Sequence, residues 1–193
     1  MATSTESVDL VGDEAATNLA RAALFAALVG AFAYVTFPNP VSPVSVTLQV
    51  LGVFLAGIYL GPVWGAASLV LYLAAGALGA PVFQGGSAGV GALVGQSAGY
   101  LWSYPFAAAA VGAVVHRGAT LRDLDAVGLP TLVGAMILGT AIIYALGVAG
   151  LALVLSLGPV EAVTVGAAAF LPAEALKVAA AVGIVRSDAI AAA

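Results

Sequence analysis

LQVLGVFLAGIYLGPVWGAASLVLYLAAGAL, residues 48–78, contains no Asp, Glu, Lys or Arg, and it decides the fold class. A helix needs roughly 20 apolar residues to cross the hydrocarbon core of a bilayer, and this stretch offers no water-facing side. Gly61-Pro62 divides it. Proline brings no backbone N–H, and the pair reads as a tight turn between a run from about Leu48 to Leu60 and another from Val63 to about Leu78. On either side lie similar runs, from about Leu19 to Phe37, Tyr100 to Val115, Pro130 to Leu155, and Gly158 onward. With 63% hydrophobic and 7% charged residues, against about 25% charged in a soluble domain, the chain cannot build a water-facing surface. The expected architecture is an all-α integral membrane protein, a bundle of six transmembrane helices in contact with membrane lipid.

Two connections carry most of the remaining information. PNPVSPVSVT at 38–47 holds Pro38, Pro40 and Pro43, which forbid regular helix. Residues 79–99, GAPVFQGGSAGVGALVGQSAG, are too glycine-rich for a simple helix yet carry no charge, which suggests a loop folded back on protein at membrane depth. Arg21, Arg117, Arg122 and Arg186 fall on one side of a six-span chain, and the loops near 38–47, 80–98 and 156–160 contain no Lys or Arg. Short cytoplasmic loops collect positive charge, so both termini are expected in the cytosol and the glycine-rich loop outside. Residues 1–17, with Glu6, Asp9, Asp13 and Glu14, lack the positive start of a signal peptide and read as an acidic cytosolic tail, ahead of a six-helix substrate-binding domain at 18–188.

Several function classes fall away. Cysteine is absent and His116 is the single histidine, so cysteine chemistry and a histidine-built metal site are not expected. Gly85-Gly86-Ser87-Ala88-Gly89 fits the G-x-S-x-G hydrolase pattern, but His116 belongs to a loop across the membrane and reads as a solvated loop residue. There is no phosphate-binding loop, so ATP-driven transport would require a separate ATPase. The chain is read as neither an enzyme nor a nucleic-acid binder, with no cofactor.

Glu174 and Lys177 are ionisable residues inside the final apolar run, three apart and so neighbours on one helix face. Exposing either to lipid costs at least about 2.5–3.5 kcal/mol, which turns both toward the bundle interior. One reading is an ion pair serving only the fold. The functional one pairs Lys177 with a substrate carboxylate and lets Glu174 accept substrate N–H groups, in the first turn of a helix opened by Pro172. That helix is expected to begin at Leu171 or Pro172 and to reach Ile190, after a separate short helix near 160–168. Gln84, Ser87, Gln96 and Tyr100 of the glycine-rich loop complete the candidate binding residues.

PVSVTLQVLGVFLAGIYLGPVWGAASLVLYLAAGALGAPVFQGGSAGVGALVGQSAGYLWSY at 43–104 resembles the BioY family, the biotin-specific S components of energy-coupling-factor (ECF) transporters. FLPAEALK at 170–177 is similar to that family's FLPGDLLK-type motif, with Glu174 where aspartate is usual and Ala173 where glycine is usual. Gln96-Ser97-Ala98-Gly99-Tyr100 departs from a more usual PTGGY-like string. The resemblance spans about Leu19 to Arg186. It implies a six-helix bundle that binds biotin at its outer face and is emptied by a transmembrane coupling protein driven by two ATPase subunits. An S component for another small vitamin, a solitary vitamin carrier and, more remotely, an intramembrane enzyme are the alternatives.

A cysteine at Ser87 is expected to react with a membrane-impermeant thiol reagent added outside the cell, and one at Thr120 to be protected. Labelling with the opposite sidedness would invert the orientation.

Overall fold

The computed structural model describes residues 12–187. Glu6 and Asp9 of the expected tail, and Ile190 at the expected end of the last helix, lie outside them. Asp13 and Glu14 open the first helix, α1 (Asp13–Phe32), where the partial positive charge of a helix start suits carboxylates. Beyond α1, β1 (Thr36–Phe37) and β2 (Val46–Thr47) pair antiparallel, with Thr36 opposite Thr47 and Phe37 opposite Val46. The prolines between them donate nothing to a ladder, which ends after two residues and leaves 38–45 as a loop.

α2 (Gln49–Ala77) is not one rod, because Gly61 sits at φ 74° and ψ −174°. At that point the chain doubles back. A Cβ built on Gly65 would lie 3.1 Å from Gly57 Cα, and Gln49 Nε2 is 2.5 Å from the Tyr72 hydroxyl. In a straight helix those last two residues would be about 34 Å apart. The tight turn expected at Gly61-Pro62 is therefore present, joining an arm of residues 49–60 to an arm of residues 62–77. α3 (Ala98–His116) crosses this hairpin closely at glycines. A Cβ on Gly112 would come within 2.5 Å of the Gly61 carbonyl carbon and Pro62 nitrogen, and one on Gly57 within 2.5 Å of the Ala108 oxygen. Small residues here let the backbones meet, as in other membrane helix crossings.

The expectation for His116 requires correction, since it is 4% exposed and ends α3 inside the protein. Its Nδ1 accepts the backbone N–H of Arg122 at 3.0 Å, which puts the ring proton on Nε2, 2.8 Å from the Ile58 carbonyl oxygen. Ile58 is four residues before Pro62, so its helical donor is the N–H that proline lacks. His116 supplies the missing hydrogen bond and fastens the hairpin turn to α3. The sequence placed it beside Arg117 and Arg122, and that charged neighbourhood concealed its inward direction.

α4 (Leu129–Leu155) packs along α3, with Leu132, Met136, Ile143 and Leu151 buried. α5 (Pro159–Gly166) is short, and Ala167 at φ −132° and ψ −60° ends it. A 3-10 turn, Ala168–Phe170, leads into α6 (Leu171–Val185), with Pro172 in its first turn as expected. Five segments of the described residues are long and apolar enough to cross a membrane, counting α2 as one and α5 with α6 as one. The chain is a multi-pass membrane protein.

Replacing His116 with Ala leaves the buried Ile58 carbonyl without a donor. A stability loss of about 1–3 kcal/mol is expected, read as a lower unfolding temperature of the purified protein in detergent. An unchanged unfolding temperature would show that the clamp carries no stability.

Candidate functional site

A cleft lies where the β2 loop, the start of α2, the first half of α3, α4 and the start of α6 converge, with about 510 Å³ between atoms when the open solvent at its mouth is included. Its walls are aromatic. The Tyr100 and Tyr144 rings meet edge to face with centroids 6.0 Å apart, and Phe170 lies 5.8 Å from Tyr144. Tyr100 fits because α4 carries Gly147 at the contact, where a Cβ would run into the ring, and its hydroxyl donates to the Gly166 carbonyl at 2.6 Å. One tyrosine thus lines the cleft and caps the end of α5.

Glu174 and Lys177 come from the first two turns of α6, 3% and 5% exposed. Lys177 Nζ donates to Glu174 Oε1 at 2.6 Å, and the Tyr144 hydroxyl donates to the same oxygen at 2.9 Å. Glu174 Oε2 is buried and meets no protein donor. Both donors converge on one carboxylate oxygen, so the other remains an unsatisfied buried acceptor on a residue that lines the cleft, beside an ammonium whose remaining hydrogens can also be offered to a ligand. Leaving a charged acceptor buried and unmatched is unfavourable by several kcal/mol, which a ligand N–H would relieve.

Of the expected binding residues, the fold brings Glu174, Lys177, Gln84 and Tyr100 to this cleft. Ser87 and Gln96 are not in its lining. Both are exposed, and the Ser87 hydroxyl donates to the Gln84 carbonyl at 3.0 Å. The loop passes through positive φ at Gly85, Gly86 and Gly89, which sets side-chain directions that residue type alone does not reveal. Sequence reasoning also missed Tyr144, Gln49 and Thr47. Gln49 opens α2, accepts the Thr47 hydroxyl at 3.0 Å and donates to Tyr72, so two polar residues of the cleft wall are satisfied by each other and by a buried tyrosine behind it. A glutamine at the head of an otherwise apolar run was the available signal. Tyr144, inside an uninterrupted apolar stretch, offered none. Among the described residues no three His, Asp or Glu side chains gather as a metal site.

The chain has known relatives in sequence and in fold. The chain matches the BioY family over residues 3–192. It is 39% identical over 169 residues to the biotin transporter BioY of Rhodobacter capsulatus, covering 83% of this chain and 87% of that protein. The biotin transporter BioY of Rhizobium etli is 36% identical over 168 residues, covering 83% and 86%. The fold is similar to a solved structure described as the S-component for biotin from an ECF-type ABC transporter, with a TM-score of 0.81 and 23% identity, covering 92% of this chain and 93% of that one. The resemblance read from residues 43–104 and 170–177 is thereby established, and the chain belongs to the BioY family.

Proposed function

We propose that this protein captures biotin in the Glu174–Lys177 cleft, as the substrate-binding subunit of an ECF-type transporter. The observation that carries the reading is Glu174 Oε2, a buried acceptor without a protein donor, beside the Lys177 ammonium. Biotin's ureido ring offers two N–H donors and a carbonyl acceptor in one plane, so a single group can engage both side chains. The aromatic walls suit its fused ring system.

The 2.6 Å between Lys177 and Glu174 supports a different division of labour from the one expected. Biotin's carboxylate is separated from the ureido ring by the bicycle and a valeryl chain, so adjacent side chains address one end of the molecule. A ligand carboxylate beside this pair would give the buried site a net negative charge, opposed by Glu174 and by desolvation. A neutral ureido group incurs no such penalty. We therefore assign Glu174 to a ureido N–H and Lys177 to the ureido carbonyl, with Tyr144 holding Oε1 so that Oε2 faces the ligand.

The two arms of α2 are read as separate passes, making six with α1, α3, α4 and the α5–α6 unit. Arg21, Leu60 and Thr120 border one groove, and Arg186 donates to the Leu124 and Val127 carbonyls. The arginines therefore gather at one end of the bundle, which supports cytosolic termini, an outer glycine-rich loop and a cleft open to the outside. A transmembrane coupling protein with two ATPase subunits would empty the loaded cleft into the cytosol.

Lys177→Ala is expected to weaken biotin binding by about ten- to a hundredfold, the value of a charged hydrogen bond, in calorimetric titration of the purified protein. Glu174→Gln combined with Lys177→Met removes both charges together and avoids stranding one in the interior. Wild-type affinity in that folded double variant would reduce the pair to a fold element and end the reading.

A further inference from the structure

Apart from Glu174 and Lys177, the elements lining the cleft bring no charge to it. Residues 22–116 and 126–160 contain no Asp, Glu, Lys or Arg, and these two runs supply every lining segment except the apolar Phe170 and the start of α6. His116 is at the opposite end of α3 from the lining residues and is held by Ile58 and Arg122. Lys177, the single ammonium or guanidinium in the lining, is bonded to Glu174. At the more exposed edge of the cleft the polar side chains are Ser45, Gln84 and Ser97, all neutral and half-buried.

A ligand carboxylate at this edge finds no opposite charge, and water competes with the neutral groups for it. Neutral hydrogen bonds made in competition with water contribute little net affinity. Resting on the capture of biotin by its ureido ring, we infer that the cleft selects the ring and ignores the charge of the tail. Its ligand class then extends to ureido-ring compounds whose carboxyl is amidated, including biotin joined through an amide to lysine. The ring is held at the buried end, and the tail, with whatever extends it, leaves through the mouth.

The test uses the full chain in detergent, titrated with biotin, biotinamide and the biotin–lysine amide. Both amides are expected to bind within about threefold of biotin. Had the carboxylate been held by a charge-assisted hydrogen bond, its conversion to an amide would weaken binding by about tenfold or more. A loss of that size for both amides, with biotin still bound tightly, overturns this inference and leaves biotin capture standing. Failure of biotin itself to bind a folded protein overturns both. Loss for the lysine amide alone, with biotinamide unimpaired, retains indifference to tail charge and overturns the extension to longer tails.

Discussion

A backbone carbonyl that loses its helical donor at membrane depth must find another donor within the protein, because lipid offers none. Several breaks in this fold are met by a side-chain donor. Pro62 deprives Ile58 of its partner, and His116 replaces it. Gly166, at the end of α5, receives the Tyr100 hydroxyl, and Ala169 in the turn beyond receives Asn39 Nδ2 at 3.3 Å. In the glycine-rich loop Leu93 receives Trp102 Nε1 at 3.0 Å and Pro81 the Tyr34 hydroxyl at 2.6 Å. Apart from Trp102, nine residues from Leu93, each donor comes from an element distant in sequence, so satisfying a carbonyl also fixes one segment against another. Tyr100 does this while lining the cleft, which ties the geometry of the binding wall to the break between α5 and α6.

The charged pair obeys the same rule in a stricter form. Glu174 and Lys177 are three residues apart on one helix face, so neither needs a distant partner to be neutralised, and α6 can carry both into the interior. Tyr144 adds a donor from α4. All of this satisfaction is spent on Oε1. A site built for the fold alone would share its donors between the two oxygens, and the asymmetry is what directs attention to a ligand.

Much of the scaffold was legible because prolines, glycines and charges act locally. Gly61-Pro62 announced the reversal and Pro172 the start of α6. Glu174 and Lys177 were legible because lipid makes any intramembrane charge conspicuous. Tyr144 was not, since its role depends on α4 lying beside α6, a contact that no local pattern encodes. His116 was misread because charged neighbours in sequence say nothing of the carbonyl awaiting it four residues before a proline. The contact between Lys177 and Glu174 was not legible: spacing established that the two side chains are neighbours, but not that they bond to one another.

The brevity of the hairpin has a consequence for the surrounding bilayer. The 49–60 arm spans about 18 Å as a helix, well short of a hydrocarbon core of about 30 Å. A lipid-facing helix of that length would create hydrophobic mismatch, thinning the bilayer or forcing tilt at a fraction of a kcal/mol per Å. Yet every residue of this arm except Tyr59 is buried in protein. The longer 62–77 arm, with Val63, Val70 and Leu71 exposed, forms the outer surface instead. This short arm is therefore screened from acyl chains by its neighbours, and its length is free to be set by the depth of the cleft at Gln49 and the position of the turn at Gly61, independently of membrane thickness.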